Sequence, residues 1–239
     1  MKDLLRSIYH VLKSQFYNSF SATGEDIIVN HLFRSVGKNK IQYMDIGTSS
    51  PIFGSNTYLF YRKGGRGVCV EANPKSYTYI KRVRTLDKCI NAALNVGDKD
   101  EVDFFIFSDA GISTIVEQEA DFRESFGSFH VVEKIIIPTV EINSLIQESF
   151  NLYPDFISID IEGMDLEVLK NLDYARFPIP VICVETVGYA ENYKRVKQYE
   201  IIDFMISKGY FLYADTFVNS ILVNRAWYDN IPMEGLPKW

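Results

Sequence analysis

Three acidic side chains close two apolar runs of the sequence that predict buried strands. Asp160 and Glu162 end the run FISIDIEG, and Glu185 ends the run VICVETVG. Side chains alternate along a strand, so Asp160 and Glu162 face the same side if the extended geometry persists to Gly163. Three carboxylates near one point repel each other. The cluster therefore predicts either that one of them is protonated or that a cation lies among them.

The cluster supports two ways of activating a weakly nucleophilic hydroxyl group. In the first, Asp160 or Glu162 is a general base whose pKa is raised by the neighbouring acid. In the second, Asp160 and Glu185, with Glu162 as a further ligand, hold a divalent metal that acts as a Lewis acid. Oxygen ligands suit magnesium or manganese, and a nearby histidine would favour iron. The lack of a convincing ligand set slightly favours the metal-free version, and His130 is the histidine to test as a base or a ligand.

A second set of candidates closes the first two predicted strands. Asp45 and Gly47 end the run IQYMDIG, and Glu71 ends GVCVE. Ligands of open α/β sheets bind outside the carboxyl ends of the strands, where a glycine allows close approach and an acid accepts both hydroxyls of a ribose. Capping of neighbouring helices is the alternative role, but both acids fall at the correct strand ends, which favours cofactor binding.

The glycine pattern of the first turn indicates which cofactor to expect. The segment DIGTSSPIFGSNT lacks the GxGxxG pattern that holds the pyrophosphate of a dinucleotide. S-adenosylmethionine has no phosphate and offers an ammonium and a carboxylate group instead. Asp45 suits the ammonium, and Ser55, Asn56 and Thr57 offer donors and a helix cap near the carboxylate. The remaining candidates for contact with this cofactor are Ala72, Asn91, Ala92 and Ser113. For Ser113 a local cap is an equal alternative.

The order of elements predicts a parallel sheet with crossover helices. From residue 41 onward β-rich runs alternate with helical patterns, with strands predicted at 41–47, 67–74, 88–94, 156–163 and 181–188 and one further strand between the third and fourth. Helices are predicted at 74–83, 141–148, 165–171 and 193–208, and the region 108–130 is predicted to be a lid. The runs YFLYAD and SILVN are joined so closely that they must pair antiparallel. This arrangement predicts an α/β, Rossmann-like class I methyltransferase fold: a seven-stranded, mostly parallel sheet with a C-terminal antiparallel hairpin.

Composition suits one compact domain. The chain has 239 residues, of which 47% are hydrophobic, and a formal net charge of −6, which disfavours nucleic acids and anionic lipid surfaces as partners. We expect an N-terminal helical extension or cap at 1–40 and the cofactor-binding domain at 41–239. The basic positions between 75 and 88 are interpreted as a solvated helix face.

Cellular location is predicted from the cysteines and the N-terminus. Cys69, Cys89 and Cys183 lie in apolar runs without a pairing motif, which indicates core thiols in a reducing compartment. Charges interrupt the apolar residues of MKDLLRSIYHVLKSQF, so we expect no signal peptide, no membrane span and a cytoplasmic protein. The same amphipathic segment could pack on its own domain or on a second subunit, which leaves a homo-oligomer open.

Six motifs occur in a specific order between about residues 21 and 185: SATGED, MDIG, SNT, GVCVEANP, SIDIEGMDLEVL and FPIPVICVE. Together they resemble the FkbM family of methyltransferases. The resemblance implies a class I fold, S-adenosylmethionine as methyl donor and, usually, O-methylation of a sugar or another natural-product hydroxyl. Ala22 stands where the family commonly has Gln, whereas Glu25 and Asp26 are kept, and Glu25 is expected at the cofactor on this resemblance.

The predicted function is therefore S-adenosylmethionine-dependent O-methylation of a sugar or nucleotide-linked sugar, in surface-polysaccharide, glycan or natural-product biosynthesis. Three alternatives stay open. One is N-methylation of a small polar substrate, which needs less activation of the acceptor. Another is a nucleotide-binding oxidoreductase, which the missing GxGxxG and the C-terminal hairpin disfavour. The third is a scaffold that has kept the fold without activity.

Overall fold

The computed structural model describes residues 19–95, 97, 99–190 and 195–231. Ten strands occur in this part of the chain: β1 (Gln42–Ile46), β2 (Arg66–Val70), β3 (Lys88–Ile90), β4 (Ala93–Leu94), β5 (Glu101–Phe107), β6 (Val131–Val140), β7 (Phe156–Ile159), β8 (Val181–Glu185), β9 (Tyr210–Asp215) and β10 (Asn219–Asn224). Eight α-helices accompany them there: α1 (Glu25–Ser35), α2 (Tyr58–Arg62), α3 (Pro74–Val83), α4 (Glu117–Glu124), α5 (Ile142–Ser149), α6 (Asp165–Asn171), α7 (Tyr199–Ser207) and α8 (Arg225–Asp229).

The main sheet has seven strands in the order β3-β2-β1-β7-β8-β10-β9. The first five of these pair in parallel. Strand β10 is antiparallel to both of its neighbours, β8 and β9. The predicted Rossmann-like class I methyltransferase fold, with its C-terminal antiparallel hairpin, is therefore confirmed. The strand order reverses between β1 and β7, which is where ligands bind in open α/β sheets.

Apolar clusters cover both faces of the main sheet. One face packs against α5, α6 and α7 through residues such as Ile142, Leu169 and Met205. The other packs against α1 and α2 through Val29 and Phe60. Buried on both faces, the central strands read as continuous apolar runs. Helix α1 shares this core, and residues 1–18 of the predicted N-terminal extension lie outside the described residues, so the division at residue 40 stays a prediction.

A second, three-stranded sheet of order β4-β6-β5 was not predicted. The single strand expected at 88–94 was wrong, because the chain leaves the main sheet after β3 and its continuation, β4, pairs with β6. Asn91 marks the break, and its amide donates to the carbonyl oxygens of Glu71 at 2.8 Å and Ala72 at 2.9 Å. Strand β6 was not predicted, because Pro138 and consecutive isoleucines interrupt the alternation of apolar and polar residues that is typical of a half-buried strand.

Two predicted segments differ in detail from the structure. The helix expected from 193 begins at Tyr199, because Lys197 pairs with Val187 in an antiparallel bridge and so is not helical. Residues 193 and 194 lie outside the described part. The region 108–130 contains a short 3₁₀ turn, Ala110–Ile112, and helix α4. Among the described helices, none combines the length and the apolar character needed to span a bilayer.

Candidate active site

A cleft opens at the carboxyl ends of β1, β2 and β7. It lies at the point where the strand order reverses, as expected for a ligand site of this architecture. The predicted site residues that line it are Gly47, Glu71, Ala72, Ala92, Ser113, Asp160 and Glu162. The cleft thus brings together candidates from strands that are more than 100 residues apart in sequence.

Glu71 is held rigidly at the wall of this cleft. Its two carboxylate oxygens accept hydrogen bonds from the backbone N–H groups of Ser49 and Asn73, each at 2.7 Å. Burial raises the pKa of Glu71, and these two N–H groups oppose that shift. Each oxygen keeps a second lone pair, so the carboxylate can accept two further hydrogen bonds from a ligand in the cleft.

Gly47 combines a left-handed backbone conformation with close contact to the end of β7. Its φ angle is +78°, and a Cβ atom there would lie 1.8 Å from the carbonyl oxygen of Asp160. Any other residue would strain the backbone and push the ends of β1 and β7 apart. The N–H of Asp160 also donates to the carbonyl oxygen of Ile46 at 3.0 Å, which sets Asp160 directly beside the glycine turn.

The far wall of the cleft is mainly apolar. Ala72, Ala92 and the buried ring of Phe104 line it. Asn91 itself is not among the lining residues, and its amide positions the backbone after β2. Ser113 reaches the cleft from the region 108–130, and its hydroxyl accepts from the backbone N–H of Phe107 at 3.2 Å.

Asp45, Ser55 and Asn56 lie behind the cleft instead of lining it. The Asp45 carboxylate accepts from the hydroxyl of Thr57, and burial raises its pKa while the Arg84 guanidinium opposes the rise. Ser55 accepts from the first N–H of α2 at 3.1 Å, and the Asn56 amide donates to the Ser158 hydroxyl at 3.0 Å. These three residues support the turn after β1 from below.

Arg84 is the exception in the basic run interpreted as a solvated face, whose other members, Lys75, Lys81, Arg82 and Lys88, are exposed. Its side chain is fully buried and forms an ion pair with Asp87 at 2.8 Å. It also donates to the Thr57 hydroxyl at 3.0 Å and lies over the Tyr61 ring. A lysine-rich and arginine-rich helix pattern gives no signal that one of its members points inward.

Glu25 also lies outside the cleft. Its fully buried carboxylate accepts from the Thr216 hydroxyl at 2.7 Å and from the Asn219 amide at 2.9 Å. Burial alone raises the pKa of Glu25, but hydrogen bonds from Thr23, Asn219 and Thr216 together lower it to about 2. These contacts tie the start of α1 to the β9–β10 hairpin.

The three predicted catalytic carboxylates converge. Oxygen atoms of Asp160, Glu162 and Glu185 all lie within 4.8 Å of one another. The sequence predicts extended backbone as far as Gly163. The structure differs, because β7 ends at Ile159 and Glu162 has a left-handed φ of +58°. The turn is held by Asp165, whose carboxylate accepts from the backbone N–H groups of Ile161 and Gly163.

Two arginines that the sequence interpretation missed pair with this cluster. Arg123, buried at the end of α4, contacts the Glu162 carboxylate at 3.0 Å. Arg195 contacts the Glu185 carboxylate at 3.2 Å. Arg123 sits in the strongly acidic stretch EQEADFRE, where its Glu119 neighbour four residues earlier suggests an ordinary surface pair.

His130 does not join the cluster. Its side chain is exposed, its backbone pairs with Ser108, and it is not among the residues that line the cleft. The donor set of Asp160, Glu162 and Glu185 is therefore made of oxygen atoms alone. Such a set suits magnesium or manganese and removes the reason to consider iron.

A family comparison decides the class of this protein. The FkbM methyltransferase domain matches residues 36–212, which is most of the chain. The chain belongs to the FkbM methyltransferase family. It is an S-adenosylmethionine-dependent methyltransferase, and the expectation from the ordered motifs is confirmed. The oxidoreductase alternative is thereby overturned.

Several solved methyltransferases share the general architecture of this FkbM protein at low similarity. A TehB-like S-adenosylmethionine-dependent methyltransferase from Corynebacterium glutamicum is 10% identical, with 93% of this chain and 96% of that chain covered and a TM-score of 0.43. An O-methyltransferase from Bacillus cereus, in complex with S-adenosylhomocysteine, is 13% identical, with 93% and 87% covered and a TM-score of 0.40.

An N-methyltransferase gives a similar result. The 1,6-didemethyltoxoflavin-N1-methyltransferase of Burkholderia thailandensis is 8% identical, with 93% of this chain and 84% of that chain covered and a TM-score of 0.43. Similarity at this level carries no argument about substrate or site. A comparison with curated protein sequences finds no significant match.

The electrostatics of the FkbM site favour protonated carboxyl groups. Burial, followed by the charges of Asp160 and Glu162, raises the pKa of Glu185 to about 10. Burial raises the pKa of Glu162 to about 7, against the opposing charge of Arg123. Burial and the Glu162 charge also raise the pKa of Asp160 well above its usual value. The cluster as a whole binds protons more tightly than isolated carboxylates do.

Proposed function

We propose that this FkbM methyltransferase transfers a methyl group to a hydroxyl of a sugar or nucleotide-linked sugar. The observation that carries the proposal is the convergence of Asp160, Glu162 and Glu185, of which Asp160 and Glu162 line the cleft. A hydroxyl is a weak nucleophile that must lose its proton as the new bond forms, and a basic carboxylate cluster suits that task. An amine acceptor needs less activation.

The cleft fits the methyl donor. When bound, S-adenosylmethionine supplies an electrophilic methyl group on a sulfonium. Glu71 would accept the ribose hydroxyls, since its two oxygens are already oriented by the backbone. Ala72 and Ala92 would flank the adenine, and the turn at Gly47, which also lines the cleft, would lie beside the amino-acid portion.

Asp160 is the member of the cluster best placed to receive the hydroxyl proton. Glu162 and Glu185 each pair with an arginine. Within the described part of the chain, the Asp160 carboxylate has no hydrogen-bond or ion-pair partner and faces the cleft. Glu185, with its pKa raised to about 10, holds a proton at neutral pH. It therefore limits the repulsion that Asp160 experiences when it ionises.

The metal-assisted alternative uses the same residues. Asp160 and Glu185 would hold a magnesium or manganese ion, with Glu162 beside them, and the ion would supply a Lewis acid. Arg123 and Arg195 already provide positive charge next to two of the three carboxylates. This pairing favours the general-base mechanism.

The experiment uses S-adenosylmethionine labelled with ¹³C in its methyl group and a panel of monosaccharides, nucleotide sugars and small amines. We expect a mass gain of one methyl group on a sugar and an NMR shift of a methyl on oxygen. Methylation confined to amines would overturn the proposal. A parallel arm with chelator, followed by addition of single metals, separates the mechanisms: the general-base mechanism predicts full activity in chelator.

A further inference from the structure

A group of aromatic side chains lies next to the carboxylate cluster without being part of the cofactor cleft. The rings of Phe122 and Phe126 meet edge to face at 5.0 Å, and Phe126 meets the ring of Tyr189 at 5.9 Å. Phe122 and Phe126 are 49% and 42% exposed. We call Phe126 and Tyr189 the aromatic platform.

Arg123 connects this platform to the catalytic carboxylates. One face of its guanidinium lies over the Tyr189 ring, 5.3 Å from the centroid, and one nitrogen contacts the Glu162 carboxylate at 3.0 Å. The guanidinium is anchored again by the carbonyl oxygen of Ile112. The Arg123 guanidinium therefore lies between the Tyr189 ring and the Glu162 carboxylate of the cluster.

The chemistry of this surface matches that of a sugar ring. A pyranose has apolar C–H faces and a rim of hydroxyls. The exposed Phe126 ring, backed by the half-buried Tyr189 ring, offers an apolar surface to such a face, while nearby carboxylates and guanidinium groups accept or donate to the hydroxyls. Exposed apolar patches rimmed by polar groups commonly mark binding sites.

We propose that the aromatic platform, Phe126 with Tyr189, binds the C–H face of the acceptor sugar and so presents one of its hydroxyls to Asp160. This inference rests on the proposed function and extends it to a particular subsite. It assigns to the segment after α4 the recognition of the acceptor, separate from the donor cleft at Gly47 and Glu71. The platform binds the ground state and the transition state alike, so it contributes to KM more than to kcat.

The test compares Phe126→Ala with Phe126→Tyr, which keeps an aromatic face, and with Tyr79→Ala, which removes a similarly exposed ring from α3. Saturation-transfer-difference NMR is recorded on protein saturated with S-adenosylhomocysteine, with D-glucose, L-rhamnose and uridine diphosphate glucose as probes. We expect ring C–H signals in the wild type, a loss of at least about fivefold in Phe126→Ala, and no change in the other two variants.

Kinetics then separate this inference from the function on which it rests. For a sugar that is methylated, Phe126→Ala should raise KM about tenfold and leave kcat within about twofold. Unchanged KM with continued sugar methylation would overturn the platform and leave the proposed function standing. Binding of S-adenosylhomocysteine without methylation of any sugar would overturn both. Equal stabilisation of all variants by S-adenosylhomocysteine shows that the substituted proteins are folded.

Discussion

Glu71 illustrates how much of this site depends on single side chains. Two backbone N–H groups orient its carboxylate, which lines the cleft and can still accept further hydrogen bonds. Asp45 differs from Glu71, because its carboxylate already accepts a hydrogen bond from the Thr57 hydroxyl and lies near the Arg84 guanidinium. Two acids at corresponding strand ends therefore have different capacities for a ligand.

Replacing Glu71 by Gln tests the role of this carboxylate in donor binding. Loss of a hydrogen bond that involves a charged group costs about 1.5–3 kcal/mol, so we expect affinity for S-adenosylhomocysteine to fall about 10- to 100-fold. Turnover at saturating S-adenosylmethionine should change little. Titration calorimetry measures the affinity, with the exposed Glu167→Gln variant as control. Wild-type affinity in Glu71→Gln would contradict the assignment.

The acidic and glycine residues at the strand ends predicted that the carboxylate cluster would form and that Gly47 and Glu71 would lie at the ligand cleft. The reason is that parallel strands bring their carboxyl ends to one edge of the sheet. The same logic did not separate residues that line the cleft from those beneath it, such as Asp45 and Asn56. Arg123 and Arg195 were not predictable, since an ion pair across distant segments leaves no periodic signal in the sequence.

At the scale of elements, the periodicity of apolar residues predicted the main sheet and its C-terminal hairpin. It failed where an element is short or where its residue pattern does not alternate. Strand β4 has two residues and joins a different sheet from β3, although the two are separated by only two residues. The region 108–130 was predicted as a lid. Its contacts with the loop after β7 run through Thr114, which donates to the Glu162 carbonyl oxygen at 3.0 Å, and through Arg123.

Replacing Arg123 by Gln tests whether this one side chain holds α4 on the site. The substitution removes the ion pair with Glu162 and the bond to the Ile112 carbonyl. We expect the backbone amides of α4 to exchange with deuterium about 10- to 100-fold faster, as local opening becomes easier. Hydrogen exchange followed by mass spectrometry measures this. Equal rates in Arg123→Gln, the wild type and the exposed control Arg82→Gln would refute the anchoring role.

At the scale of the whole molecule, the carboxylate cluster carries a cost in stability. A carboxyl group with a raised pKa in the folded state keeps a proton that the unfolded chain releases. Stability therefore falls as pH rises from the unfolded pKa of Glu185, near 4.5, to its folded value of about 10. The fold tolerates this because the surrounding sheet is buried on both faces.

Glu185→Gln should remove that dependence. We expect its melting temperature to exceed that of the wild type by at least about 2 °C at pH 8. The difference should shrink at pH 5, because that pH is only slightly above the unfolded pKa of Glu185 and little of the pH-dependent loss of stability has occurred there. Differential scanning calorimetry at both pH values measures this, with the exposed Glu200→Gln as control. A lower melting temperature for Glu185→Gln at pH 8 would show that its charge stabilises the fold.

The central claim is that Asp160, at the meeting point of donor cleft and carboxylate cluster, takes part in methyl transfer. The most direct measurement compares the wild type with Asp160→Asn in methyl transfer to the best sugar of the panel and in binding of S-adenosylhomocysteine. We predict a fall in kcat of at least about 100-fold with affinity for S-adenosylhomocysteine within about twofold, since loss of a general base costs 10²–10⁴ in rate. Wild-type turnover in Asp160→Asn would contradict the account.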